Sequence, residues 1–192
     1  MKGSRETGQK MSKGIVIFGP AGAGKTTLGM MAASALDYPY FDFDDYIWRK
    51  DTEEPFTVRY TEEEKMKRIL KAIRQNDRFV LSGYMDGEHE ALDAMFAAAF
   101  HLSAPAELRI DRIRRRDRDI YGDRVLPGGD MYDNHERFIE SVRGYGKEDD
   151  PFEKRHWDWA ESLNCPVIRL EGDKPLVKNL KIILKTCREL EL

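Results

Sequence analysis

Long apolar runs are missing from this 192-residue chain. No stretch approaches the ~20 consecutive apolar residues that a bilayer-spanning helix needs, which argues against a membrane protein. The N-terminus also has no apolar core of the signal-peptide kind, so the reading is a cytoplasmic protein. Cysteine is scarce: Cys165 and Cys187 lack metal-ligand spacing and read as reduced thiols, so neither a disulfide framework nor a zinc site is expected. A basic excess is absent. Lys and Arg number 32 against 35 Asp and Glu, and the net charge of −3 argues against a nucleic-acid partner. Any cationic site must therefore be local. His89, His101, His135 and His156 have no spacing that suggests a metal site or a triad, and read as packed or exposed side chains. Internal repeats and low-complexity segments are absent too. The polar stretch 1–13, with Gly3, Ser4 and Gly8, is set aside as a disordered leader, leaving residues 14–192 as one domain.

Against these absences stands Gly19-Pro20-Ala21-Gly22-Ala23-Gly24-Lys25-Thr26, which matches the G-x-x-x-x-G-K-[ST] phosphate-binding loop. The apolar run 15–18 before it reads as a buried strand, and residues 27–36 after it as a helix rich in Ala, Met and Leu. Glycines let the backbone wrap an anion so that successive N–H groups and the helix N-terminus face a β-phosphate, while the Lys25 ammonium reaches the β and γ oxygens. Thr26 then offers its hydroxyl to Mg²⁺, and Thr27 joins the nucleotide-binding set. The expected donor is ATP with Mg²⁺.

The rest of the chain alternates strands and helices. A short second strand over 38–45 ends in acids, and a helix from Thr61 carries a capping box with Glu64 and apolar Met66, Ile69, Leu70 and Ile73. Residues 78–83 read as the third strand, 88–99 as an Ala-rich helix and 100–103 as a weaker strand. Pro105 opens a further helix that runs into an arginine cluster. Glycine, proline and acids over 119–133 read as a mobile loop. Helices over 134–142 and 153–163 follow, then a strand over 166–170 and a closing amphipathic helix over 176–190 with Ile182, Ile183 and Leu184 inward. This order predicts an α/β fold: a three-layer P-loop NTPase arrangement with a parallel five-stranded sheet, helices on both faces and a small lid.

Phosphoryl transfer needs the phosphates held in line, a metal bridging their oxygens, and cations on the developing charge. The acids Asp42, Asp44 and Asp45 fall at the carboxyl end of the second strand, beside the P-loop, where ligands of open α/β sheets bind. In an extended segment Asp42 and Asp44 point to one side and Asp45 to the other. One carboxylate of the pair can hold Mg²⁺ and the other can accept a hydroxyl proton; the alternative is a solvated loop and helix cap. Arg109, Arg112 and Arg116 share a helix face within the run that also holds Arg114, Arg115, Arg118 and Arg124. Guanidinium groups suit bidentate contact with phosphate, and the alternative is a solvated helix balanced by Asp111, Asp117, Asp119 and Asp123.

The order of these motifs resembles the nucleotide kinase and shikimate kinase group of P-loop phosphotransferases over nearly the whole chain after residue 13. Asp111-Arg112-Ile113-Arg114-Arg115-Arg116 is similar to the D-R-I-x-x-R segment that leads into the adenylate kinase lid. The resemblance implies a lid at 117–135, Arg112 near the adenine and Arg116 near the transferred phosphate. Asp42-Phe43-Asp44 matches the D-x-D of shikimate kinases, implying Asp42 near Mg²⁺ and Asp44 near the acceptor hydroxyl. Gly172-Asp173-Lys174-Pro175 resembles the loop that packs by the adenine, which adds Asp173 to the nucleotide set. Departures separate the chain from both specific substrates. The arginine that holds a monophosphate acceptor is missing from Ser82-Gly83-Tyr84-Met85-Asp86, and a single Gly83 stands where shikimate kinases carry three glycines.

The expected enzyme is thus a kinase that moves the γ-phosphate of ATP to a hydroxyl of a small molecule, with Lys25, Asp44, Arg112 and Arg116 catalytic. An acceptor lobe over 46–76 is expected, with Asp44, Trp48, Arg49, Arg59, Gly83 and Tyr84 toward the substrate; Trp48 and Tyr84 can stack on a ring or belong to the core. The other readings are a nucleotide or nucleoside kinase, or a nucleotide-binding regulatory module without turnover. A remodelling ATPase would need a strand ending in Asp-Glu, and a GTPase an Asn-Lys-x-Asp. Neither is present. The assembly is expected to be a monomer or homodimer.

Overall fold

The computed structural model describes residues 12–53, 57–83, 85, 89–147 and 150–192. Five parallel strands, β1 (Lys13–Phe18), β2 (Tyr40–Asp42), β3 (Arg78–Gly83), β4 (Phe96–Ser103) and β5 (Val167–Glu171), pair in the order β2-β3-β1-β4-β5. The helices are α1 (Lys25–Leu36), α2 (Asp44–Ile47), α3 (Glu62–Ile73), α4 (Glu90–Asp93), α5 (Ala106–Tyr121), α6 (Tyr132–Gly144), α7 (Pro151–Ser162) and α8 (Leu176–Glu189). This is the α/β sheet with helices on both faces that the alternating pattern predicts.

Strand β1 sits at the centre, and its side chains alternate between two cores. Val16 and Phe18 pack with Ile69 and Ile73 of α3 and Trp159 of α7. Ile15 and Ile17 pack on the other face with Leu28 and Ala32 of α1 and Ile183 and Cys187 of α8. From β1 the chain passes first to β2 and β3 on one side, then to β4 and β5 on the other. That reversal opens a crevice at the carboxyl end of β1, the place where open α/β sheets bind ligands. No helix among the described residues is long and apolar enough to cross a membrane.

Several local expectations need correction. The Ala-rich helix over 88–99 is instead the four-residue α4 followed by β4, which starts at Phe96; Glu88 lies outside the described residues. Alanine favours helix locally, but Ala98 and Ala99 are fully buried between β1 and β5, and burial on both sheet faces overrides propensity. Residues 12 and 13 do not belong to the leader expected over 1–13, because Lys13 opens β1 and buried Ser12 donates its hydroxyl to Ile73 O at 3.4 Å. Residues 1–11 lie outside the described ones. The stretch expected as a loop over 119–133 is largely regular: α5 continues to Tyr121, a 3-10 turn covers Gly122–Val125, and α6 begins at Tyr132. On α8 the inward stripe is Asn179, Ile183 and Cys187, and Ile182 is exposed, since a helix turns 100° per residue and cannot bury three in a row.

The capping box of α3 forms as the sequence implies, with Glu64 N donating to Thr61 Oγ1 and Thr61 N to Glu64 Oε2. Burial pushes both cysteine thiols up to about 11, and both are free thiols. Helices α5 and α6 form an antiparallel arm that packs against Ala21 of the P-loop. Ile110 and Ile113 pack on Ile139 and Val142, and the pairs Arg114–Glu136 (3.0 Å) and Arg143–Glu107 (3.2 Å) tie the helices together.

Candidate functional site

The P-loop runs from β1 into α1 with Gly19, Gly22 and Gly24 at positive φ (137°, 76° and 102°). Gly22 is required twice over: its φ disfavours side chains, and a Cβ there would lie 2.6 Å from Arg109 O. Lys25 is the first residue of α1, and its ammonium donates to Pro20 O at 2.9 Å. Burial lowers the Lys25 pKa from 10.5 to about 8; the Asp44 and Asp42 charges oppose this, and Arg109 and Arg116 add to it. Thr26 and Thr27 are exposed on the first turn of the helix.

Thr26 Oγ1 donates to Asp42 Oδ2 at 3.0 Å. Tyr40 Oη donates to the same oxygen at 3.1 Å and sits 2.6 Å from Ser82 Oγ, so strands β2 and β3 and helix α1 meet around one carboxylate. Burial raises the Tyr40 phenol well above its ordinary value, which keeps it a neutral donor. The sequence gives no sign of Tyr40 and Ser82 as supports for Asp42, because their contact exists only through the β2–β3 pairing.

Asp44 is not the next inward residue of an extended strand. Strand β2 stops at Asp42, Phe43 is helical (φ −64°, ψ −31°), and Asp44 begins α2. Asp42 Oδ1 accepts from Asp44 N at 3.1 Å, a side-chain cap that ends the strand. The two acids still converge on the P-loop, through a turn rather than through strand alternation. Burial raises the Asp44 pKa; Lys25 opposes this, Asp42 adds to it and Arg116 opposes it.

The three arginines divide. Arg109 is buried, donating from Nε to Ala104 O (2.9 Å) and from Nη2 to Tyr145 O (3.3 Å), so it braces the arm. Arg112 donates from Nη1 to Ala23 O (3.2 Å) and Gly22 O (3.4 Å) and from Nη2 to Gly172 O (2.9 Å). It thereby staples the P-loop to the turn after β5, where Asp173 pairs with Lys174 at 3.5 Å. Arg116 has its charge near Lys25 and Asp44 and donates from Nε to Asp117 Oδ1 at 2.7 Å.

Of the acceptor-lobe residues, Arg59 stacks on Trp48, its guanidinium carbon 4.6 Å from the ring centroid, and the two form an antiparallel bridge. Arg49 pairs with Asp51 at 2.6 Å. Gly83 packs on Phe43, where a Cβ would fall 2.4 Å from the Phe43 Cβ. Tyr84 and Asp86 lie outside the described residues. On the opposite side of Lys25, His101 Nε2 is 3.4 Å from Tyr145 Oη, which is 2.7 Å from His156 Nδ1. Burial above all, with the Lys25 charge contributing, lowers these histidines to about 4 and about 3, so both are neutral packing groups near pH 7.

No group of three or more His, Cys, Asp or Glu among the described residues could hold a metal ion. Thr26 and Asp42 offer a hydroxyl and a carboxylate only, a hard-oxygen set that fits Mg²⁺, which takes one or two protein ligands together with phosphate and water.

A family model described as an AAA domain matches residues 15–139. The chain is 32% identical over 165 residues to the uncharacterized protein YqaC of Bacillus subtilis (strain 168), covering 85% of this chain and 90% of that protein. It is 29% identical over 124 residues to a shikimate kinase of Novosphingobium aromaticivorans, covering 57% of this chain and 64% of that protein, less than two thirds of that relative's length. Among solved structures, a shikimate kinase from Acinetobacter baumannii in complex with shikimate superposes with a TM-score of 0.56 at 19% identity, covering 95% of this chain and 97% of that one. The fold is therefore that of a P-loop kinase.

Proposed function

The chain belongs to the AAA-domain family of P-loop proteins, and we propose that it is a phosphotransferase that moves the γ-phosphate of Mg-ATP to a hydroxyl of a small molecule. The observation that carries the reading is the pair of carboxylates at the end of β2. Asp42 is tied to the P-loop threonine at 3.0 Å, and Asp44, on the first turn of α2, has its charge against Lys25. Similarity to shikimate kinases supports a small hydroxylated acceptor, whose identity the loops around Asp44 decide.

In this reading the P-loop amides and Lys25 hold the β- and γ-phosphates. Thr26 and Asp42 would hold Mg²⁺, which when bound neutralises charge on the phosphate oxygens. Asp44 takes the proton from the acceptor hydroxyl as that oxygen forms its bond to the γ-phosphorus and the bond to the β–γ bridging oxygen breaks, leaving ADP. Arg116 meets the charge that develops on the transferred group, and Arg112 holds the loop beside the nucleotide. Strand β3, the neighbour of the P-loop strand, ends in Ser82 and Gly83 rather than in the Asp-Glu pair that a remodelling ATPase would need.

The test is ADP release from Mg-ATP with a panel of hydroxylated acids, sugars and nucleosides. At least one acceptor is expected to raise release far above background. Tight ATP binding with no acceptor-dependent release across the panel would favour a regulatory module instead.

A further inference from the structure

Resting on the phosphotransferase reading, we infer that Asp117 is a positioning residue that sets the guanidinium of Arg116 for the transferred phosphate. Adjacent helix residues point about 100° apart and do not ordinarily face each other. A 2.7 Å bond from Arg116 Nε to Asp117 Oδ1 therefore needs the arginine chain to curl along α5 toward α6. Its carboxylate partner is 5% exposed although Asp is a surface residue by preference. The other oxygen, Oδ2, faces α6, 3.3 Å from His135 Nε2, a close approach without a hydrogen bond.

The chemistry of the fork gives this arrangement its use. A guanidinium has five donors, and capture of Nε leaves both Nη groups to form a paired contact with phosphate oxygens. Among the described residues the Nη groups of Arg116 make no hydrogen bond, whereas those of Arg112 are committed to Gly22, Ala23 and Gly172 carbonyls. Arg116 is also the arginine whose charge reaches both Lys25 and Asp44. Holding one end of a long, half-exposed side chain lowers the ordering cost when the phosphate arrives.

The experiment compares binding of ADP and of a non-hydrolysable ATP analogue, both with Mg²⁺, in the wild type, Arg116→Ala, Asp117→Ala, Asp117→Asn and the Arg116→Ala/Asp117→Ala double variant. The ratio of the two affinities reads contact with the γ-phosphate and needs no acceptor. Arg116→Ala is expected to lower that ratio about tenfold or more, as loss of a charge-assisted contact does. Asp117→Ala should lower it comparably with ADP affinity within twofold of wild type, the double variant no further, and Asp117→Asn, which keeps an acceptor for Nε and guards against a folding defect, by less. A merely structural Asp117 would instead weaken both nucleotides alike. That result, an unchanged ratio in Asp117→Ala, or multiplicative losses in the double variant would overturn the inference. A wild type that does not distinguish the analogue from ADP would remove the ATP-donor reading itself, a failure visible without any variant.

Discussion

Replacing Lys25 with Met should make the nucleotide-free protein more stable while abolishing its response to ATP. The half-buried Lys25 ammonium donates to the Pro20 carbonyl, its one hydrogen-bond partner among the described residues, and burial lowers its pKa from 10.5 to about 8. At 1.36 kcal/mol per pH unit that depression corresponds to about 3 kcal/mol of native-state cost for keeping the charge. Loss of the bond to Pro20 returns about 1 kcal/mol, and screening at a half-buried residue reduces the figure further, leaving a gain of about 1–2 kcal/mol. The sign follows from linkage. Below pH 8 Lys25 is charged in both folded and unfolded chains and the cost is complete; between 8 and 10.5 only the unfolded chain holds the proton, so wild-type stability rises with pH and the advantage of Met shrinks. Urea unfolding of both proteins at pH 6.5 and 9.5, with and without Mg-ATP, measures this directly. A Met variant less stable than wild type at pH 6.5, or an advantage that does not change with pH, would refute the burial argument. Stabilisation of the variant by ATP equal to that of wild type would remove Lys25 from the phosphate site.

Three further outcomes follow from the same geometry. Wild-type ATP affinity should fall as pH rises above about 8, because bound phosphates favour the charged ammonium and binding then takes up a proton; titration calorimetry in buffers of different ionisation enthalpy reads that uptake, and its absence would place Lys25 outside the contact. Asp44→Asn should lower turnover on the order of 10²- to 10⁴-fold with ATP affinity nearly unchanged, and the wild-type acid limb should lie above the ordinary carboxylate range because burial raises Asp44; full turnover in Asp44→Asn would end its role as base. Gly83→Ala should destabilise by about 1–3 kcal/mol in chemical unfolding, since its Cβ would overlap Phe43 at 2.4 Å, and a neutral result would mean that Phe43 yields freely.

What the chain discloses on its own follows the range of the interactions that decide each element. The P-loop, the Thr61–Glu64 capping box and strand β3 are specified by neighbours within a few residues, and they stand where the sequence places them. Strand β4 is decided by its two partners in the sheet, which no window of Ala and Phe reveals. The helical end of α5 is held by the facing α6, so the glycines and acids of residues 119–133 overstate irregularity. Arg109 and Arg112 read alike as members of a cationic run. Only the fold spends the one on Ala104 and Tyr145 and the other on Gly22, Ala23 and Gly172. The neutral cluster of His101, Tyr145 and His156 joins residues up to 55 positions apart and leaves no local signal.

The acid pair shows why the turn at Phe43 matters to chemistry. Had β2 continued as an extended strand, Asp42 and Asp44 would stand side by side in like surroundings, and little would distinguish a metal ligand from a base. The turn separates them. Asp42 is the last strand residue, and donors from Thr26, Tyr40 and the Asp44 backbone fix both of its oxygens. Asp44, carried onto the first turn of α2, receives no hydrogen bond to its carboxylate among the described residues, and burial pushes its proton affinity up. Two carboxylates two positions apart thus have different surroundings, one met by three donors and the other with its proton affinity raised, which is how paired acids acquire separate roles. A substitution that straightened the turn without touching either acid, such as Phe43→Val, should therefore impair turnover more than nucleotide binding, because β-branching favours extended backbone at that position.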